Sequence, residues 1–103
     1  MASGNARVLV TGASGLVGGE AAALLRSTCP DATVVTLGRS ASNGIVANLA
    51  DAALPDLPRD VTHILHCAAD TRFGRPIDEV RAINVEGTRR LLAFARTCPR
   101  LQA

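Results

Sequence analysis

The chain has 103 residues, 48% of them hydrophobic and 19% charged, with a formal net charge of +2. This length holds one domain at most, and the composition excludes disordered and collagen-like chains. All eleven basic residues are arginines, so no step that needs a lysine amine can be carried within these residues. Tyrosine and tryptophan are also absent. Residues 1–60 carry four Arg against five acids, and residues 61–103 carry seven against four. That tilt is too small and too dispersed for a nucleic-acid surface. With Phe73 and Phe94 as the only aromatics, a base-stacking platform is excluded as well. Cys29, Cys67 and Cys98 lack C-x-x-C spacing and read as reduced thiols. Met1 to Arg7 contains no apolar signal core, and no apolar run reaches the length of a membrane span. A cytoplasmic chain without membrane partners is expected.

In chain order, Arg7 to Thr11 is a short β-branched run closed by Gly12, which predicts a buried strand. Leu16 to Ser27, rich in Ala and Leu, predicts a helix that Pro30 stops. Ala32 to Leu37 predicts a second strand, Gly38 to Gly44 a polar loop, and Ile45 to Ala47 a short third strand. Ala50 to Asp60, with prolines at 55 and 58, reads as a turn or short helix. Val61 to Cys67 predicts a buried strand, Asp70 to Pro76 a loop, and Ile77 to Thr97 one long helix. Arg89, Arg90 and Arg96 fall on the face of that helix expected to meet solvent. Gly87 in its interior costs about 1 kcal/mol relative to Ala, which predicts a close approach of the helix to the sheet. Strand, helix, strand, then strand and helix is the order of parallel βαβ units. The expected fold class is therefore α/β: a Rossmann-like, doubly wound parallel sheet. The two helices end alike, at Cys29-Pro30 and Cys98-Pro99, so Leu101 to Ala103 is expected to open a further strand. Residues 1–103 then read as a single partial domain, cut after the fourth strand and its helix.

Between the first strand and the first helix stands Gly12-Ala13-Ser14-Gly15-Leu16-Val17-Gly18. A tight turn, close approach of backbone to a pyrophosphate and close helix-to-strand packing each call for a residue without Cβ. The helix N-terminus adds unpaired N–H groups and a positive dipole end. The pattern predicts dinucleotide binding. A Walker-type phosphate loop is excluded, because it ends in Gly-Lys-Ser/Thr. The second strand ends in Leu37-Gly38-Arg39-Ser40, with no acid before Asp51. A carboxylate here would hold the ribose 2′-hydroxyl, whereas a guanidinium suits a 2′-phosphate. NADP is accordingly expected in preference to NAD. His63 and His66 alternate with apolar residues and have no partner at metal-ligand spacing, so both read as structural and no metal site is expected.

These residues resemble the short-chain dehydrogenase/reductase superfamily in its extended branch. Thr11-Gly12-Ala13-Ser14-Gly15-Leu16-Val17-Gly18 is similar to the family's T-G-x-x-G-x-x-G cofactor loop. Asn48-Leu49 stands where that branch usually has Asp-Leu at the adenine end of the cofactor. His66-Cys67-Ala68-Ala69-Asp70 resembles the segment after the fourth strand, whose small residues lie against the cofactor. Asn84-Val85-Glu86-Gly87-Thr88 resembles the N-V-x-G-T helix motif, whose Asn supports the active site. Together with Arg72-Phe73 and Leu91-Leu92, the pattern looks most like reductases acting on acyl thioesters, with sugar-nucleotide epimerases and dehydratases as near cousins. The resemblance implies Thr11, Gly12, Ser14, Gly15, Leu16, Val17, Gly18, Arg39, Asn48, Leu49, Cys67, Ala68 and Ala69 as cofactor-binding residues, with Asn84 in a supporting catalytic role.

The family's Tyr-x-x-x-Lys pair has no counterpart here. The expectation is therefore an NADP-binding N-terminal part of an oxidoreductase, acting on a small-molecule substrate only when completed by downstream polypeptide. The alternatives are a fragment of an epimerase or dehydratase, or a non-catalytic module that binds the dinucleotide. An open edge along Val61 to Cys67 would also favour self-association.

Overall fold

The computed structural model describes residues 6–40, 42–51 and 53–103. The readings that fall on the first five residues, on Ala41 in the polar loop and on Ala52 in the 50–60 turn lie outside the described residues.

Strand β1 (Arg7–Thr11) is the centre of the molecule, with Leu9, Val10 and Thr11 fully buried. An apolar, β-branched run of this kind suits a parallel strand covered on both faces. Strand β2 (Thr33–Gly38) pairs with one side of β1, in parallel, from Arg7↔Thr33 to Thr11↔Leu37. Strand β4 (His63–His66) pairs with the other side, also in parallel, from Val8↔His63 to Thr11↔His66. The two-residue β3 (Ile45–Val46) flanks β2, which completes the order β3-β2-β1-β4. This is the strand order of the expected doubly wound α/β fold.

The alternation of side chains along β1 divides the core. Val8 and Val10 pack with Ala22 of helix α1 (Leu16–Thr28) on one face. Leu9 packs with Leu37, Leu49, Val61 and Leu91 on the other. On that side runs a continuous helical stretch, α2 (Ile77–Arg81), a π-helical segment Ala82–Gly87 and α3 (Thr88–Ala95), which enters the cluster through Leu91 of α3. The expected single α-helix over 77–97 is thus interrupted and ends earlier. A π-turn widens the helix locally and is frequent at functional sites. Within it, Gly87 is buried, and a Cβ there would sit 3.0 Å from the Leu49 Cβ. Its close approach is to the loop after β3 rather than to the sheet.

Three other expectations are corrected. Arg90 is not on a purely solvated face, because its Nη1 donates to the Leu49 carbonyl at 2.8 Å and ties α3 to the same loop. Strand β4 is shorter than the expected 61–67: beyond His66 the Cys67 N–H is shared between the Thr11 carbonyl and the Thr11 hydroxyl, and the Ala68 N–H turns to the hydroxyl alone. The Gln102 N–H donates to the Thr62 carbonyl at 2.8 Å and the Ile64 N–H to the Ala103 carbonyl at 2.9 Å. The last residues therefore already run beside β4, and the edge expected to be open is covered at Thr62 and Ile64.

Candidate functional site

The C-terminal ends of β1, β2 and β4 meet a cleft of about 300 Å³. It lies at β1, where the chain winds outward to β2 on one side and to β4 on the other. In open α/β sheets this switch point is where ligands bind. Of the residues singled out in the sequence, Gly12, Ser14, Gly15, Arg39, Asn48, Leu49, Cys67, Ala68 and Ala69 line the cleft. Leu16 and Val17 do not line it: they begin α1 with 84% and 69% exposure. Thr11 and Gly18 are buried behind its wall.

The glycines shape the cleft by what they lack. Gly12 has φ +69°, and a Cβ there would fall 2.7 Å from the Ala68 nitrogen. A Cβ on Gly18 would lie 2.2 Å from the Gly12 carbonyl oxygen, and one on Gly15 3.3 Å from the same atom. The turn is closed by the Gly15 N–H donating to Gly12 O at 3.0 Å, and Gly12 N–H donates to Leu37 O of β2. Gly15 caps α1 with no side-chain hydrogen bond, and no acid sits in the first turn. The first N–H groups of the helix thus remain available beside the cleft, a ready-made anion site.

The far wall is made by the loop after β2. Asn43 Nδ2 donates to Ser40 O at 3.0 Å, Ser40 and Ser42 hydroxyls meet at 2.9 Å, and Gly44 N–H donates to Thr36 Oγ1 at 2.9 Å. These bonds give the polar loop a defined shape with Arg39 at its root. Arg39 is exposed and forms no ion pair among the described residues. Asn48 spends its Oδ1 on the Ala50 N–H at 2.9 Å, a local turn. Leu49 is buried, and its carbonyl is the acceptor for Arg90.

Asn84 does not reach the cleft. Its Oδ1 accepts from the Asp70 N–H at 2.7 Å and its Nδ2 donates to the Asp70 carbonyl at 3.0 Å, so the amide clamps the loop after β4 to the π-segment. Ile83 beside it does line the cleft, as do Leu37, Gly38 and Ala47. These four carry no cofactor-site motif in the sequence. Ile83 had a signal only as one apolar residue on the stripe of a helix.

The Asp70 side chain is 1% exposed and is held by Arg72 Nε at 3.2 Å and Arg75 Nη2 at 3.3 Å. The Arg72 side-chain hydrogen bond is the leading cause that holds its carboxyl below the usual value of 3.8, against a smaller desolvation effect. A lowered folded-state value means that the unfolded chain takes up a proton first. The stabilisation is present above pH 3.8 and is lost as pH falls through that value toward the folded-state one. Urea midpoints measured against pH are expected to drop across this window in the wild type. In Asp70→Asn they are expected to be lower at neutral pH and flatter in acid.

Comparison with known proteins places this geometry. An NAD-binding family model described as Male sterility protein matches residues 47–103, which carry β4, the clamp at Asn84 and helix α3. The chain belongs to that family. It is an NAD-binding Rossmann-type domain of the extended short-chain dehydrogenase/reductase superfamily.

Solved structures share the fold of this chain. A short-chain dehydrogenase/reductase superfamily protein from Agrobacterium tumefaciens, solved with bound NAD, is 30% identical with a TM-score of 0.72 over 93% of this chain and 30% of its own. The Helicobacter pylori ADP-L-glycero-D-manno-heptose-6-epimerase is 22% identical with a TM-score of 0.76, over 92% of this chain and 36% of its own. The L-threonine dehydrogenase of Clostridium difficile is 22% identical with a TM-score of 0.68, over 88% and 33%. The last two show the fold. The chain spans about a third of the length of these three proteins. No curated protein sequence matches it. Among the described residues no helix is long and apolar enough to cross a membrane.

Proposed function

We propose that this chain is the NADP-binding part of an oxidoreductase that reduces a carbonyl or acyl-thioester substrate once further polypeptide supplies the acid/base residues. The observation that carries the reading is the glycine cradle: Gly12 and Gly15 line the cleft, and Gly18 behind them lets the start of α1 pack directly against the Gly12 carbonyl. A pyrophosphate fits a cradle of this kind, with the N-terminus of α1 supplying N–H donors. When bound, the nicotinamide supplies or accepts the hydride. The chain's own residues bind and orient. Ser14 and Gly15 face the pyrophosphate, Arg39 the 2′-phosphate, Asn48 and Leu49 the adenine end, and Cys67, Ala68 and Ala69 the inner face of the dinucleotide. Asn84 acts at one remove, by fixing the Asp70 backbone that continues from Ala69.

Arg39 stands where an acid would favour NAD, and the absence of an ion pair to it among the described residues supports the phosphorylated cofactor. The pattern His66-Cys67-Ala68-Ala69 with Asn84 to Thr88 supports the thioester-reductase reading over an epimerase or dehydratase. Three free thiols support a reducing, cytoplasmic setting, and the uncovered part of β4 beyond Ile64, where Leu65 is 38% exposed, supports self-association. Titration of the purified chain with NADPH and NADH, followed by cofactor fluorescence, tests the reading. Saturable binding with NADPH the tighter ligand is expected; a chain that binds neither overturns it.

A further inference from the structure

His66 joins the cofactor turn to the helical stretch on the other side of β4. Its Nδ1 lies 2.6 Å from Thr11 Oγ1 and its Nε2 3.0 Å from Thr88 Oγ1. The direction of each bond follows from counting hydrogens. Thr88 Oγ1 donates its single hydrogen to the Asn84 carbonyl at 2.9 Å, so it can only accept from the imidazole, and Nε2 carries the proton. A neutral ring then has a bare Nδ1, which accepts from the Thr11 hydroxyl. Thr11 Oγ1 in turn accepts from the Ala68 N–H at 3.2 Å and from the Cys67 N–H at 3.1 Å, which it shares with the Thr11 carbonyl at 3.2 Å. One unbroken chain of bonds thus runs from the Cys67–Ala68 backbone through Thr11, His66 and Thr88 to Asn84. Every member donates and accepts in one sense.

A second proton on the ring breaks that order. An N–H on Nδ1 would face an oxygen that already accepts twice, and the Thr11 hydroxyl hydrogen would lose its partner at a residue with no solvent exposure. A buried polar hydrogen without an acceptor is costly. The segment that would move is the one in contact with the turn, since Ala68 N is the atom nearest a Cβ on Gly12.

Resting on the dinucleotide reading above, we propose that His66 is a positioning residue. As the neutral Nε2–H tautomer it holds Thr11 in the orientation that fixes Cys67 and Ala68 against the cofactor turn, and protonation of Nδ1 releases them. The groups around it leave this to the ring alone. Arg7 on β1 pairs with Asp60, Arg89 on α3 pairs with Glu86, and Arg90 bonds the Leu49 carbonyl. Asp70 is held by Arg72 and Arg75, and His63 bonds Thr62. Cys67 is the titratable neighbour in sequence. Burial lowers the His66 value below 6.5, which keeps the ring neutral at physiological pH. The linked stability is full above pH 6.5 and falls as pH drops from there to the folded-state value.

The test is nitrogen NMR of the wild-type chain against pH, with NAD⁺ binding followed in parallel. NAD⁺ is the probe because it lacks the 2′-phosphate, whose own ionisation near pH 6 would intrude. The expected result is an Nε2-protonated neutral ring, with the Cys67 and Ala68 amide signals shifting at the same midpoint as His66. Below that midpoint the Kd for NAD⁺ is expected to rise by up to about tenfold per pH unit, the limit for one linked proton. His66→Asn keeps an acceptor for Thr11 that cannot be protonated, so its binding is expected to lose the pH response. A ring protonated on Nδ1, or Cys67 and Ala68 amides that ignore the His66 midpoint, overturns the proposal. Amides that follow His66 in a chain that binds no NAD⁺ at any pH uphold the hydrogen-bond device and overturn the dinucleotide reading instead.

Discussion

Gly18→Val is expected to leave the chain without a folded cofactor turn. The first atom of the new side chain would fall 2.2 Å from the Gly12 carbonyl oxygen, and a backbone atom cannot swing aside as a side-chain end does. Relief requires α1 to shift off β1, which opens the Val8, Val10 and Ala22 cluster beneath it. Overpacking commonly costs about 1–3 kcal/mol, and here the rigid neighbour places the loss at about 3 kcal/mol or more. Against a total of roughly 5–15 kcal/mol for a domain, the urea midpoint should collapse and cofactor binding vanish with it. Gly12→Ala is expected to behave similarly, because it combines φ +69° with a 2.7 Å approach to Ala68 N. Gly15→Ala is the contrasting variant: its φ is −83° and its nearest neighbour is at 3.3 Å, so stability should change by about 1 kcal/mol or less. Gly15→Val should stay folded and weaken NADPH and NADH together, since the branched side chain stands between the turn and the phosphates. Thermal or urea unfolding of the four variants beside cofactor titration checks the order. A Gly18→Val chain as stable as wild type would refute the packing of α1 on the turn.

Arg39→Ala is expected to remove most of the preference for NADPH while leaving the fold unchanged. The guanidinium is exposed at the rim of the cleft and makes no ion pair among the described residues, so its loss leaves no internal charge stranded. A charge-assisted hydrogen bond contributes about 1.5–3 kcal/mol. That corresponds to a roughly ten- to hundredfold weaker Kd for NADPH, with NADH nearly unaffected. Raising the salt concentration should reduce the wild-type preference as well, because an exposed phosphate contact is screened. An unchanged ratio of the two affinities in Arg39→Ala would show that the 2′-phosphate is read elsewhere or not at all.

The glycine turn was legible in the sequence because its demands are local. A positive φ at Gly12 and an approach closer than a Cβ allows are conditions on single residues within one turn, and glycine is the residue that meets them. The βαβ order was legible for the same reason: apolar runs, an Ala- and Leu-rich stretch and two Cys-Pro stops each act over a few neighbours. Other features depend on partners far apart in the chain. The Thr11–His66 bond joins residues 55 apart, Arg90 to Leu49 spans 41, and His66 to Thr88 spans 22. No periodicity encodes such pairs, so His66 read as an isolated strand histidine and Arg90 as a solvated one. The π-segment escaped likewise, because the apolar spacing of 77–97 fits one helix until Asn84 closes on Asp70 and Gly87 on Leu49. By itself the sequence determined the strand order and the dinucleotide turn, through local backbone geometry and hydrophobic pattern. Only the tertiary structure decided which side chains stand behind that turn, because burial leaves each polar group to find its partner on whichever strand or helix the fold brings beside it.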